Sequence, residues 1–204
     1  MIDAQISEFL NQLASRAPTP GGGSVAALTG AQAAALVCMV CHLTIGKKKY
    51  AEHEDELRGI LAVAESLQAE LTALIDADIQ AYDGLSAAYA IPKEEAGRAA
   101  AIQRALGPAT EVPLCIAEAS AAVLDLVPAV VEKGSTLAVS DAGMAALLAA
   151  AALRSGALNA YINLAATTDT EVVAAVGARL DAALSDRAAI ADRLYRDVVE
   201  RIGG

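Results

Sequence analysis

Asp78 stands where an apolar side chain is expected. At spacings of four, three, four, four, three and four residues, Leu67, Leu71, Leu74, Asp78, Tyr82, Leu85 and Tyr89 trace one stripe of a helix, so a carboxylate interrupts a core-facing seam. Asp76 and Asp83 fall well off that stripe. A carboxylate in such a place must be used or paired, because burying it alone is costly. Four readings meet that demand: a buried salt bridge, a seam rotated enough to wet the carboxylate, a general acid or base, and an anion that holds a cationic ligand.

Other residues offer further chemistry. Gly21, Gly22 and Gly23 precede an uncharged helix and can present backbone N–H groups to an anion, although the run is neither a Walker loop nor a dinucleotide fingerprint. After that helix come Lys47, Lys48 and Lys49, a cationic cluster in a chain of net charge -10. Such a cluster suits a solvated helix end or an anionic ligand. Ser140 and Asp141 open another helix, where an oxygen cap and a negative first turn are stabilising in themselves. Asn159 shares the face of Asp141 but lies five turns, about 27 Å, along the axis, so the two cannot act on one atom. They can serve one extended ligand, or two sites assembled across a dimer. Asn159 and Asn163, one turn apart in an apolar segment, suit a heterocycle or a neighbouring helix. Cys38 and Cys41 have CxxC spacing inside an apolar helix, and no second pair completes a zinc site, so they read as buried thiols and no metal is expected. His42 and His53 are the only histidines, and no Ser, His and Asp order for nucleophilic catalysis stands out.

The elements that must hold these groups are helical. With 204 residues and 55% hydrophobic composition, the chain (1–204) can bury the core of one domain. Aromatics make up only 3%, alanines come in runs, and apolar residues recur at three and four rather than alternating. The fold class expected is all-α, an up-and-down bundle of about six long helices. They are placed at Asp3 to Ser15, Gly22 or Ser24 to Gly46, Ala51 to Ala90, Lys93 to Glu132 with a break near Gly107, Pro108 and Pro113, Ser140 to Ala166, and Asp169 to Ile202. A pI near 4.6 argues against nucleic acid. An odd number of cysteines and an N-terminus without the signal-peptide pattern point to the cytoplasm. The uncharged run from Ala17 to Gly46 is long enough for a membrane span, but its glycines, Gln32, His42, Thr44 and alanine bias favour a helix buried in a bundle.

Set in order, PTPGGGSVAALTGAQAAALVCMV, LTIGKKKY, LIDADIQAYD, IPK, AIQRAL, VPLCIAEAS, EKGS, SDAG and LNAYINL resemble the formiminotetrahydrofolate cyclodeaminase and methenyltetrahydrofolate cyclohydrolase family over nearly the whole chain. The resemblance implies a homodimer and a tetrahydrofolate derivative, mono- or polyglutamylated, with no further cofactor. It implies catalytic carboxylates at Asp78 and Asp141, and substrate contacts at Gly21, Gly22, Gly23, Ser24, Thr44, Lys47, Lys48, Lys49, Tyr82, Ser140, Asn159 and Asn163. Two departures stand out: the segment after Ile91, Pro92 and Lys93 is short, and Ser135 follows Gly134 where the family has asparagine. The absence of a formiminotransferase domain, together with LTIGKKKYAE, favours hydrolysis of 5,10-methenyltetrahydrofolate over deamination of 5-formiminotetrahydrofolate. A folate-binding helical protein without turnover is the non-enzymatic alternative.

Overall fold

The computed structural model describes residues 4–203, and every regular element among them is helical. Seven α-helices follow in order: α1 (Ile6–Leu13), α2 (Gly22–His42), α3 (Glu54–Ala90), α4 (Arg98–Lys133), α5 (Val139–Leu164), α6 (Thr170–Leu184) and α7 (Arg187–Gly203). Short 3-10 turns at Lys48–His53 and Thr136–Ala138 join them. The expected start of the first helix at Asp3 lies outside the described residues.

The uncharged composition of α2 follows from its position. It packs against α3, α4 and α5 at once, and Ala26, Ala27, Ala33, Ala34, Val37, Val40 and Cys41 are all buried. Small residues let the helices approach closely. A Cβ on Gly30 would stand 2.8 Å from Ser120 Oγ, and one on Gly156 would stand 2.9 Å from the backbone nitrogen of Ala117 on α4. By length and composition α2, α4 and the Thr136–Leu164 segment could each cross a membrane, but 61%, 61% and 50% of their most apolar windows are buried inside the fold.

Several boundaries differ from the sequence expectation. The second helix stops at His42, four residues short of Gly46, because the chain turns through Gly46 at φ +80°. α4 begins at Arg98 rather than Lys93, after a turn with Gly97 at φ +94°. The Arg98 guanidinium donates to the carbonyls of Ile91 (2.8 Å) and Tyr89 (3.1 Å), which closes the end of α3. α5 starts at Val139 with Ala138 as its N-cap and no side-chain cap, so Ser140 lies within the helix, exposed. Asp169 does cap α6 as expected, accepting from the N–H groups of Glu171 (2.9 Å) and Val172 (3.2 Å). The long sixth helix is instead two, α6 and α7, divided at Asp186, whose φ is 55°. Arg187 secures that corner by donating to Asp125 (2.7 and 3.0 Å) and to the carbonyls of Ala182 and Ala183.

The break expected near Gly107, Pro108 and Pro113 is absent: α4 runs unbroken through Pro108, Pro113 and Pro128. A proline removes the N–H that would bond the carbonyl four residues back. For Pro113 that carbonyl belongs to Ala109, and Asn163 of α5 donates its Nδ2 to it at 2.5 Å. The neighbouring helix thus supplies the missing donor.

Asn163→Ala should therefore cost about 1–3 kcal/mol, the usual range for stranding a buried carbonyl. In a Pro113→Ala background, where the backbone N–H is restored, the same change should cost clearly less. Urea titration of all four proteins in the cycle checks this, and equal losses in both backgrounds would contradict it.

Candidate functional site

α3 carries Asp78 onto the N-terminus of α2. Ser24, fully buried in the first turn of α2, donates its Oγ to Asp78 Oδ2 at 2.8 Å. Contact with the preceding residue is so close that a Cβ on Gly23 would fall 2.0 Å from Asp78 Oδ1. Only glycine leaves room for the carboxylate there. Two influences oppose each other on this group. Burial raises the Asp78 pKa and is the larger, while the Ser24 hydroxyl and backbone N–H favour the ionised form. The positive end of the α2 dipole acts in the same direction as Ser24.

Beside this contact lies a cavity of about 250 Å³ between α3, α4 and α5, with Asp78, Tyr82, Leu85, Pro113, Asn159 and Asn163 in its wall. Gly22 abuts the Asn159 amide, 3.5 Å from the place a Cβ would take, so the glycine turn joins Asp78 to α5. Asn159 Nδ2 donates to the Ser155 carbonyl at 2.8 Å. Tyr82 is 44% exposed at the rim. Asp78, Gly22, Gly23, Ser24, Tyr82, Asn159 and Asn163 thus form one group, with Gly21 the residue that caps α2. The anion held at the glycine turn is the protein's own Asp78.

The remaining expected residues lie elsewhere. α2 rises about 30 Å from Gly22 to His42, and Lys47, Lys48 and Lys49 follow its far end, all exposed. Thr44 is fully buried, donating to the Val40 carbonyl (2.6 Å) and accepting from the Ser135 N–H (2.8 Å), so it fixes the α4–α5 connection and has no substrate-facing surface. Asp141 lies in the first turn of α5, about 27 Å along that helix from Asn159. Asp78 and Asp141 of one chain therefore do not converge. Sequence reasoning missed Tyr50. Its phenol contacts the Thr136 hydroxyl (3.4 Å) and accepts from the Thr136 N–H (3.1 Å), and these contacts draw its pKa down to about 7. Lys49 Nζ lies 5.0 Å from the Tyr50 ring centre. Adjacency to the lysines was the signal available. Cys38 and Cys41 are buried free thiols, and burial pushes Cys41 up to about 11 and Cys38 in the same direction.

The match to known proteins follows this geometry. A profile of the formiminotransferase-cyclodeaminase family matches residues 5–182. The chain belongs to that family. It is 46% identical over 201 residues to the methenyltetrahydrofolate cyclohydrolase of Methylorubrum extorquens, covering 97% of each chain. To the formimidoyltransferase-cyclodeaminase of Sus scrofa it is 32% identical over 206 residues, covering 95% of this chain and 37% of that protein. The crystal structure of formiminotetrahydrofolate cyclodeaminase from Thermotoga maritima superimposes with a TM-score of 0.82 at 28% identity, covering 99% of this chain and 97% of that one.

The raised pKa of Asp78 has a consequence for stability. With the folded value above the ordinary 3.8, the fold prefers the protonated carboxyl, so at neutral pH the ionised group opposes folding. That burden is present above the folded pKa and disappears as pH falls below the unfolded value. Asp78→Asn should therefore raise Tm by a few degrees at pH 7, with the gain shrinking towards pH 3. A lower Tm at pH 7 would mean that Ser24 and the α2 dipole outweigh burial.

Proposed function

We propose that this family member hydrolyses 5,10-methenyltetrahydrofolate to 10-formyltetrahydrofolate. The observation that carries the reading is a partly buried carboxylate, Asp78, set against a helix N-terminus at the wall of a cavity, in a chain 46% identical over nearly its full length to a protein named for that activity. Methenyltetrahydrofolate is a cation across N5, the bridging carbon and N10. A negative group beside the bridge stabilises it and can accept a proton from the attacking water. Water oxygen bonds to the bridging carbon as Asp78 takes one proton; the carbon–N5 bond then breaks, its electron pair goes to N5, and the proton passes there. The second proton of the water leaves to solvent.

One observation favours a second reaction on the same groups, the fold shared with a formiminotetrahydrofolate cyclodeaminase. There N10 attacks the formimino carbon and ammonia leaves once protonated, a role Asp78 can also fill.

The second copy of a homodimer completes this reading. α5 and the turn before it expose Leu137 (90%), Met144 (52%), Leu158 (69%) and Ile162 (73%), an apolar face that suits a copy of itself. An antiparallel arrangement brings one copy's Asp141 and Lys47 to Lys49 towards its partner's Asp78 cavity, where the lysines meet the anionic glutamate tail. The enzyme acts in the cytoplasm, away from membrane and nucleic acid, with no metal or cofactor beyond the folate.

Incubation with 5,10-methenyltetrahydrofolate should bleach the methenyl absorbance, and Asp78→Asn should slow this by about 100- to 10,000-fold in kcat. Growth of the same band from 5-formiminotetrahydrofolate would assign deamination, and silence in both assays would leave only a folate-binding protein. Lys47→Ala with Lys48→Ala should raise KM several-fold for polyglutamylated folate, less so at high salt. An unchanged KM would remove the lysines from the tail site.

A further inference from the structure

We propose that the Asp78 cavity binds the pterin head of the folate by its N–H edge, with Asn159 and Asn163 as the acceptors that set specificity. The inference rests on the folate reading above and adds the orientation of the substrate.

The two asparagines are held in a defined sense. Asn159 faces the Ser155 carbonyl at 2.8 Å and Asn163 faces the Ala109 carbonyl at 2.5 Å. A carbonyl oxygen only accepts, so the amide atom turned to each must be nitrogen. Each Oδ1 is then a free acceptor, with no donor to it among the described residues. Both residues line the cavity, together with the Asp78 carboxylate; the other lining residues are Ala81, Tyr82, Leu85, Ala109, Pro113 and Ile162. Apart from the Tyr82 hydroxyl and the second N–H of each asparagine amide, no lining side chain has a donor to offer. With two amide oxygens and a carboxylate, the wall is richer in acceptors than in donors, on an apolar ground.

Such a wall sorts the parts of a folate by chemistry. The methenyl bridge has no N–H, since both of its nitrogens are fully substituted. The glutamate tail ends in carboxylates, which oxygen acceptors beside Asp78 repel. The reduced pterin presents its 2-amino group and N3–H side by side on the pyrimidine ring, with N8–H beyond the N1 acceptor, and the adjacent pair are the donors the wall can satisfy. At about 250 Å³ the cavity is smaller than the ~300–1,000 Å³ typical for a whole drug-sized ligand, so the head enters and the rest stays outside. Asn159 abuts Gly22, next to the Gly23 that touches Asp78, while Asn163 lies about 6 Å farther along α5. The pyrimidine edge therefore points towards the asparagines, and N5 with its bridge lies towards Asp78.

The test uses 5-formyltetrahydrofolate, which keeps all these donors, and its 2-desamino analogue, which loses one without added bulk. Isothermal titration of the wild-type protein should give a Kd at least tenfold weaker for the analogue. Asn159→Leu, similar in shape but without the amide, should weaken the parent compound at least tenfold. Asn159→Asp keeps an acceptor oxygen but gives up the bond to Ser155, so it should retain the parent affinity within a factor of a few. Equal Kd values for the two ligands, or Asn159→Asp failing as badly as Asn159→Leu, would overturn the assignment while leaving the folate function standing. No binding of either ligand to the wild type would overturn both.

Discussion

The contact between Asp78 and the first turn of α2 is the constraint on which the other features depend. A carboxylate inside a bundle is unfavourable, and this one is tolerated because Ser24 donates to it and the α2 N-terminus faces it. The geometry demands a residue without a Cβ at position 23, where any side chain would overlap Oδ1. It also fixes where α2 starts and how close α3 must lie. The opposition between burial and hydrogen bonding leaves Asp78 with a raised pKa, which suits the proton acceptor proposed above. Under that proposal stability and reactivity are opposed at one residue.

The frame around that contact is built from small residues. Gly30 and Gly156 permit helix approaches that a methyl group would block, and the alanines of α2 and α5 fill the interior. α2 runs unbroken for 21 residues through this frame, so groups at its opposite ends stay about 30 Å apart. That separation divides the polar residues into an Asp78 end and a lysine end. In the homodimer proposed above, a second copy in the opposite sense would reunite them.

Much of this was legible in the sequence, and the failures have physical causes. Asp78 stood out because it interrupts a stripe of regular spacing, and the structure puts it at a cavity wall with Ser24, Tyr82, Asn159 and Asn163. Gly23 was visible as part of a glycine run, but its reason is a steric contact 55 positions along the chain with Asp78, which no local pattern encodes. Pro113 signalled a break, and the break is prevented by an asparagine from another helix. Ser140 looked like a cap because its residue type is right, yet the preceding 3-10 turn moves the helix start to Val139. The division between α6 and α7 rests on Asp186 adopting a positive φ, which continuous helical periodicity conceals. Thr44 and Tyr50 carry their roles through bonds to residues 135 and 136, long-range pairings that spacing does not reveal.

The central claim is that Asp78 is the base that accepts the proton of the attacking water. The carboxyl resonance of Asp78, followed by carbon NMR as the free protein is titrated, gives its pKa directly, and the acid limb of kcat/KM with 5,10-methenyltetrahydrofolate reports the pKa of the free enzyme's essential base. The two values should coincide above the ordinary 3.8, and Ser24→Ala, which removes a donor to the ionised form, should move both upward together. An acid limb that stays in place while the Asp78 resonance shifts would show that another group carries the proton.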